Sequence, residues 1–348
     1  MSLGPVMIGL QGCELTQEER DLLRHPLVGG VILFTRNFES IDQLQALNRQ
    51  IHALRRPRLL VAVDHEGGRV QRFRDGFTHL PAVRSLGYRF DQNRDQGLRL
   101  ARISGWLMAI ELRSAGIDLS FAPILDLDCG VSGVIGDRAF HSDPECVAEL
   151  ARAYMIGMRR AGMEATGKHF PGHGSVAADS HRELPVDPRP MAELLARDLV
   201  PFERLSHYGI AALMMAHVVY PEIDTRPAGF SCTWIRDILR DRLRFQGLVF
   251  SDDLDMAGAE WAGDPEARAR LALEAGCDMV LACNDRSAAV RILDHLGPWD
   301  DPVSHLRLIR MHGRNKPTRD RLGRSQHWKK AVDTVLSYDQ NPLLDMDL

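Results

Sequence analysis

Residues 164–174 read Glu164-Ala165-Thr166-Gly167-Lys168-His169-Phe170-Pro171-Gly172-His173-Gly174. The first five residues form a short run that is typical of a buried strand. The residues after Phe170 are poorly suited to a strand, because apolar and β-branched side chains are nearly absent there. The segment therefore predicts a strand that ends at Lys168 and continues directly into an open, polar loop.

Seven similar runs are spread over the chain, with longer amphipathic stretches between them. Together, the eight candidate strands cover residues 6–10, 30–34, 59–63, 119–125, 164–168, 211–216, 248–250 and 279–282. Most are apolar throughout, as expected of parallel strands covered on both faces. The helical patterns cover residues 41–54, 96–115, 144–161, 190–206, 233–243 and 265–275, and Asp143-Pro144 and Asp264-Pro265 mark two helix starts.

Alternation of strands and helices predicts the α/β class, with a parallel sheet and helices outside it. Eight repeats favour closure into a single (β/α)₈ TIM-type barrel, which we assign to residues 1–300. Residues 301–348 form a basic stretch interrupted by Gly and Pro, so we expect a C-terminal extension that is partly helical, with a helix at 328–336. No glycine-rich nucleotide-binding fingerprint follows the early strands.

The composition is that of a globular enzyme. Of the 348 residues 45% are hydrophobic and 26% are charged, which excludes a disordered chain. The net charge of −4 provides no field that would attract nucleic acid or an acidic membrane surface. The N-terminus lacks a signal-peptide pattern, and six scattered cysteines without a CxxC pair fit a reducing compartment. We therefore expect a cytoplasmic protein without nucleic-acid or membrane partners.

Ionisable residues follow the ends of five candidate strands. They are Asp64, Asp126, Lys168, His217 and Asp252. In a parallel barrel these ends meet at one mouth, where active sites are built. One such residue is easily explained as a helix cap, but capping alone does not explain ionisable residues at the ends of five strands. The sequence therefore predicts an active site at this mouth.

Asp179 and His181 are a candidate acid–base pair in the loop after Lys168. If the loop is extended there, residues two apart project to the same side, and Asp179 can bond to one ring nitrogen. Such a carboxylate fixes the tautomer of the imidazole and raises its proton affinity. An Asp-x-His pair is also common as a purely structural feature, and by itself it does not decide between the two roles.

Two further segments bring charged groups to the mouth. Residues 251–255 read SDDLD, and a carboxylate there can be a nucleophile, a metal ligand, a substrate anchor or a helix cap. The spacing alone does not choose between Asp252 and Asp253. In residues 64–72, DHEGGRVQR, Asp64 and Arg72 suit the binding of sugar hydroxyls or carboxylates, and Arg138 can reach the same mouth.

Four segments together resemble the bacterial β-N-acetylglucosaminidases of glycoside hydrolase family 3. They are DHEGGRVQR at 64–72, GDRAF at 136–140, KHFPGHG at 168–174 with DSH at 179–181, and GLVFSDDLDM at 247–256. The segments occur in the family's order, and the likeness runs from residue 4 to about residue 296. It is specifically to the single-domain enzymes of peptidoglycan recycling.

The resemblance implies a retaining β-N-acetylhexosaminidase in which Asp252 is the nucleophile and forms a covalent glycosyl–enzyme. It implies that His181 is the proton donor and acceptor, with Asp179 as its partner, whereas most glycosidases use two carboxylates. The positions that match the family's sugar-binding residues are Asp64, Arg72, Arg138, Lys168 and His169.

The implied reaction removes terminal, non-reducing, β-linked N-acetylglucosamine from muropeptides in which this sugar is linked to anhydro-N-acetylmuramic acid. Such an activity belongs to cell-wall turnover, and through it to cell shape and division. The resemblance implies no metal or organic cofactor, and we expect a monomer.

Three other functions fit parts of the pattern. A metal-dependent barrel hydrolase would use His169, His173, His181 and Asp252 as ligands, although no His-x-His pair ends the first strand. A Schiff-base lyase would use Lys168 as its nucleophile. A barrel that only binds sugar would not need Asp252, Asp179 and His181 together.

Overall fold

The computed structural model describes residues 3–315 and 317–339. Eight parallel strands form one sheet, and nearly all of their residues are buried. Numbered along the chain, the strands are β1 (Val6–Gly9), β2 (Val28–Leu33), β3 (Leu60–Val63), β4 (Leu119–Ser120), β5 (Thr166–Phe170), β6 (Ala212–Met215), β7 (Leu248–Asp253) and β8 (Met279–Ala282).

The sheet closes on itself. Its strand order is β4-β3-β2-β1-β8-β7-β6-β5, and each neighbouring pair is parallel. The two outer strands are joined through the backbone, because Leu125 N donates to Lys168 O at 2.7 Å and Thr166 N donates to Ala122 O at 2.9 Å. The predicted (β/α)₈ barrel is confirmed.

Helices surround the sheet. Numbered along the chain, they are α1 (Gln17–Leu23), α2 (Ile41–Ala53), α3 (Arg84–Gln92), α4 (Arg94–Ala115), α5 (Pro144–Arg160), α6 (Met191–Ala196), α7 (Leu199–His207), α8 (Pro265–Ala275), α9 (Arg286–His295), α10 (Pro302–Arg310), α11 (Arg319–Gly323) and α12 (Gln326–Asp339), with a π-helix at Thr233–Arg242. As predicted, Asp143 and Asp264 cap α5 and α8, accepting hydrogen bonds from the N–H groups of Glu145 at 2.9 Å and Ala267 at 3.0 Å.

Some elements differ from the sequence-based expectations. The predicted helix 190–206 is two helices, α6 and α7, because the backbone leaves helical geometry at Arg197, where φ is −133° and ψ is −80°. Pro201, four residues later, has no N–H to donate to the Arg197 carbonyl. The predicted strand 119–125 is reduced to β4, since Pro123 has no N–H to donate to a ladder. The helices α1, α3 and α9 lie outside every predicted helix; they are too short for a long periodic pattern.

The C-terminal extension is helical and packs on α4. Trp328 Nε1 in α12 donates a hydrogen bond to Glu111 Oε1 in α4 at 2.8 Å. The predicted helix 328–336 lies within α12. Lys316 and residues 340–348 of the basic stretch lie outside the described residues, and a domain boundary at residue 300 stays a prediction. Within the described ranges, none of the helices combines the length and apolar character needed to cross a membrane.

A buried ionic cluster around Asp118 ties this extension to the barrel. The Asp118 carboxylate lies 3.1 Å from Arg58 Nη2 and 3.1 Å from Arg113 Nη1. It also accepts the backbone N–H of Gly313, in the extension, at 3.1 Å. Burial alone would raise the pKa of Asp118, but hydrogen bonds from the histidines beside it hold this pKa well below its ordinary value. The carboxylate is therefore ionised in the folded protein.

We expect Asp118→Ala to lower the free energy of unfolding by about 3–5 kcal/mol, because it leaves the buried Arg113 guanidinium without its partner. Urea unfolding at neutral pH measures the change. Because the native pKa of Asp118 is depressed, its stabilisation is present above the unfolded pKa of about 3.9 and is lost as the pH falls below it. Asp21→Ala, which removes an exposed ion pair with Arg24, is the control and should cost less than about 1 kcal/mol. Equal losses in the two variants would contradict the cluster's role.

Candidate active site

A cavity of about 730 Å³ opens at the carboxyl ends of the barrel strands. All eight residues predicted for the site line it: Asp64, Arg72, Arg138, Lys168, His169, Asp179, His181 and Asp252. They come from the ends of β3, β5 and β7 and from the loops that follow β3, β4 and β5. The structure therefore brings together, in one cavity, residues that are up to 188 positions apart in the sequence (252 minus 64).

A buried network of opposite charges forms one wall of the cavity. Lys168 Nζ lies 2.7 Å from Asp64 Oδ1 and 2.7 Å from Glu66 Oε1. Arg138 donates to both oxygens of Glu66, from Nε and Nη2, each at 2.8 Å. Burial alone would lower the pKa of Lys168, but the carboxylates of Asp64 and Glu66 raise it above its ordinary value. Lys168 is thus a charged ammonium, which is unsuited to Schiff-base formation.

Glu66 is a site residue that the sequence analysis did not identify. It is almost completely buried, and although burial alone would raise its pKa, the neighbouring Arg138 and Lys168 charges hold that pKa far below its ordinary value. The available signal was its position, since it lies two residues after Asp64 in the segment DHEGGRVQR. Two buried cations, Lys168 and Arg138, need a second carboxylate besides Asp64 to neutralise their charge, and Glu66 provides it.

Arg72 and Arg138 are placed differently in the cavity. Arg72 Nη2 lies 3.8 Å from Asp64 Oδ2, and its guanidinium lies over the Phe34 ring. Arg138 uses its remaining nitrogen, Nη1, to donate to Val134 O at 3.1 Å. Each of the three guanidinium nitrogens of Arg138 thus already donates to a protein acceptor.

Asp126 orients the two histidines of the segment KHFPGHG. Its Oδ2 accepts hydrogen bonds from His169 Nδ1 at 2.7 Å and from His169 N at 3.1 Å, and its Oδ1 accepts one from His173 N at 2.7 Å. A proton held on Nδ1 leaves Nε2 of His169 as the ring nitrogen available to a ligand. Burial lowers the pKa of His173, and the charge of His169 lowers it further.

Asp252 is the last residue but one of β7 and borders the cavity. Its Oδ1 accepts the backbone N–H of Asp253 at 2.8 Å. Burial alone would raise the pKa of Asp252, but the charges of His169 and His217 and this hydrogen bond lower it below the ordinary value. The carboxylate is therefore ionised at neutral pH, which is the form that can attack an electrophilic carbon.

His217 supports the segment that carries Asp252. Its Nε2 donates to the backbone oxygen of Asp253 at 3.1 Å, and its ring stacks on Phe230 with 5.5 Å between centroids. The position of His217 at a strand end was predictable from the sequence, but its role was not. Since His217 is fully buried, it acts on Asp252 through its hydrogen bond to the backbone of the next residue.

Asp179 and His181 form a hydrogen-bonded pair in the loop after β5. Asp179 Oδ1 accepts from His181 Nδ1 at 2.8 Å and from His181 N at 3.0 Å. The loop is a turn here rather than an extended strand, because Arg182 N donates to Asp179 O at 2.8 Å. The loop is therefore not extended at this point, and the pair forms because an aspartate can accept the N–H two residues later.

The side chains proposed as metal ligands are not arranged around one point. In residues 3–315 and 317–339, no group of three or more His, Cys, Asp or Glu side chains is positioned to hold a metal ion. His169 bonds to Asp126, and His173 Nε2 lies 3.0 Å from Ser180 Oγ. The ligand set that a metal-dependent hydrolase would need is therefore not assembled.

A model of the glycosyl hydrolase family 3 N-terminal domain matches residues 5–298. The chain belongs to this family. The predicted resemblance is confirmed, and the prediction of an enzyme that hydrolyses glycosidic bonds is confirmed with it. The matched range includes the barrel and every residue that we assign to the cavity.

Similar proteins share nearly the whole chain. The β-hexosaminidase of Thioalkalivibrio sulfidiphilus is 61% identical over 348 residues, which is 100% of both chains, and that of Alkalilimnicola ehrlichii is 57% identical over 345 residues, 98% of each. Among solved structures, NagZ from Neisseria gonorrhoeae in complex with N-trifluoroacetyl-D-glucosamine has a TM-score of 0.92 and 45% identity, over 97% of this chain and 98% of that one.

Asp253 has an environment opposite to that of its neighbour. Its Oδ2 accepts from Asn284 Nδ2 at 2.8 Å, and its Oδ1 accepts from Cys283 N at 3.2 Å. Burial, followed by the charge of Asp255, raises the pKa of Asp253 to about 7. The pKa values of these two adjacent acids are thus shifted in opposite directions, so that Asp252 is ionised and Asp253 is partly protonated at neutral pH.

We expect the stability of the wild type relative to Asp253→Asn to fall as the pH rises from about 4, the ordinary carboxyl value, to about 7. In that window the folded protein binds a proton that the unfolded chain has released, so each rise in pH disfavours folding. The asparagine does not titrate, and urea unfolding of both proteins across the window measures the difference. A difference that does not change with pH would contradict the raised pKa.

Proposed function

We propose that this glycoside hydrolase removes terminal, non-reducing, β-linked N-acetylglucosamine from peptidoglycan-derived muropeptides by a retaining mechanism. The observation that carries the proposal is the pairing of two groups in one cavity. One is the Asp252 carboxylate with its lowered pKa, and the other is the exposed His181 imidazole bonded to Asp179. The first suits a nucleophile and the second suits proton transfer.

In the first step, the protonated His181 donates its Nε2 proton to the glycosidic oxygen while a carboxylate oxygen of Asp252 attacks the anomeric carbon. The bond between that carbon and the glycosidic oxygen breaks, and the aglycone leaves as a neutral alcohol. Asp179 accepts the Nδ1–H of the ring at 2.8 Å, so Nε2 is the nitrogen that exchanges the proton. The same carboxylate stabilises the imidazolium before the transfer.

In the second step, water attacks the anomeric carbon of the glycosyl–enzyme. The neutral His181 accepts a proton from this water at Nε2, and the bond to Asp252 breaks as the carboxylate leaves. Two displacements at the same carbon restore its β configuration. His181 is then protonated again and ready for the next substrate.

The charged wall of the cavity suits the sugar. Lys168 and Asp64 form charge-assisted hydrogen bonds to ring hydroxyls in this proposal, and Arg72 and the Nε2 of His169 contribute further polar contacts. Arg138 lines the same cavity, and we assign it the task of holding Glu66 beside Lys168. These groups bind a neutral polyol without a metal ion.

Similarity to known proteins supports the identity of the sugar, whereas the proposed aglycone and pathway rest on the resemblance of the four sequence segments to enzymes of peptidoglycan recycling. The relatives are named β-hexosaminidases, and the Neisseria gonorrhoeae protein was solved in complex with N-trifluoroacetyl-D-glucosamine. We therefore propose N-acetylglucosamine attached to anhydro-N-acetylmuramic acid peptides as the substrate. We propose the cytoplasm as the location, a monomer as the active form, and cell-wall turnover as the process.

We expect the wild type to release a fluorescent phenol from its β-N-acetylglucosaminide with no effect of EDTA. Asp252→Ala should abolish release, because the nucleophile is gone. His181→Ala should lower the rate by a factor on the order of 10²–10⁴, since proton transfer by a positioned side chain contributes about that much. A continuous fluorescence assay measures all of these rates.

Matched controls are the exposed residues Asp237 and His207, whose alanine variants should keep wild-type rates. An inactive wild type would reject the proposed sugar. Loss of activity in EDTA would reject the metal-free mechanism and favour a metal-dependent hydrolase. An active Asp252→Ala variant would reject the assigned nucleophile.

A further inference from the structure

Ser180 lies between Asp179 and His181, yet its environment is the reverse of theirs. The His181 side chain is 61% exposed, whereas Ser180 is only 2% exposed. The turn therefore directs the middle residue of the DSH segment into the protein and leaves the imidazole at the cavity. A serine buried at the tip of a polar loop requires hydrogen-bond partners in the barrel.

The partners of Ser180 come from two different strand ends. Its Oγ lies 3.0 Å from Nε2 of the buried His173, which follows β5. Its carbonyl oxygen accepts the backbone N–H of Gly258, in the turn of helix after β7, at 2.9 Å. The approach to Gly258 is close, since a Cβ there would lie 3.2 Å from this oxygen and 3.0 Å from His217 Cβ.

The hydrogen bonds between Asp179 and His181 act within the loop. They orient the imidazole relative to its own backbone, but they do not fix its position relative to Asp252. At the far end of the loop the chain is joined to the barrel, where Asp187 N donates to Val219 O at 2.8 Å. Next to the imidazole in the chain, Ser180 makes the contacts that join the loop to other parts of the protein, namely to His173 and Gly258.

We propose that Ser180 is a positioning residue, which docks the loop against His173 and Gly258 and so holds His181 at the leaving-group side of the cavity. The inference rests on the proposed role of His181 as the proton donor. His173 is itself held by the barrel, because its backbone N–H donates to Asp126 at 2.7 Å. The position of the acid is thus linked through Ser180 and His173 to Asp126, in the loop that follows β4.

Ser180→Ala tests this role through its dependence on the leaving group. The ratio kcat/KM reports the step in which the aglycone departs, and a poor leaving group needs the proton more than a good one does. For chitobiose we expect kcat/KM to fall about tenfold, as for the loss of one buried hydrogen bond. For the 2,4-dinitrophenyl glycoside of the same sugar we expect less than about a twofold change.

A double variant separates positioning from a general structural effect. If Ser180 acts through His181, adding Ser180→Ala to His181→Ala should lower kcat/KM no further. Ser175→Ala is the matched control in the same loop, because its hydroxyl contacts Cys129 Sγ and Asp198 and not His173 or Gly258. It should keep the wild-type ratio between the two substrates.

Two results would overturn the inference: an equal fall for both leaving groups, or a further loss in the double variant. Thermal unfolding of Ser180→Ala identifies a variant that is simply misfolded, and Ser180→Cys, which keeps a weak donor, should then recover part of the chitobiose activity. If His181→Ala itself shows no dependence on the leaving group, the proposed acid is wrong. If His181→Ala shows the dependence on the leaving group and Ser180→Ala does not, the proposed acid stands and only the role of Ser180 is wrong.

Discussion

The position of Lys168 is the constraint on which the catalytic cavity depends. Its backbone closes the barrel, because its carbonyl accepts the N–H of Leu125 at 2.7 Å. Its ammonium group then lies buried between the carboxylates of Asp64 and Glu66, 2.7 Å from each. A barrel whose strands bring many charges to one mouth must neutralise them, since an unpaired buried charge costs several kcal/mol. In this chain Lys168 contributes to the closure through its backbone and to the neutralisation through its side chain.

The acidic groups around the cavity have different protonation states because their neighbours differ. Asp252 faces the charges of histidines and Lys168, and its pKa is lowered. Asp253, one residue later, is partly buried, and this burial and the charge of Asp255 raise its pKa to about 7. A nucleophile must be ionised, so this difference supports Asp252 over Asp253 on physical grounds that are independent of family resemblance. The proposed proton donor, His181, has an exposed side chain and can exchange protons with water.

Much of the fold could be predicted from the sequence, because continuous apolar strands that alternate with amphipathic helices are strong local signals. The site could be predicted where a charged residue follows a strand directly, as with Asp64, Lys168 and Asp252. Glu66 could not be separated from its neighbours, because its role depends on Arg138, which is 72 positions away. The break between α6 and α7 had a local signal that the helical pattern outweighed, since Pro201 cannot donate an N–H to the carbonyl of Arg197, where the backbone leaves helical geometry. The choice of Asp252 over Asp253 needed the resemblance at first, and the electrostatic reason required the three-dimensional arrangement.

The central claim is that Asp252 forms a covalent bond to the sugar. Mass spectrometry of the enzyme after incubation with a 5-fluorinated N-acetylglucosaminyl fluoride tests it most directly, because the fluorine slows hydrolysis of the intermediate. We predict that the intact protein gains the mass of one glycosyl group and that peptide mapping locates the label on Asp252. A label on another residue, or turnover of this compound without a labelled protein under conditions that trap other retaining enzymes, would contradict the account.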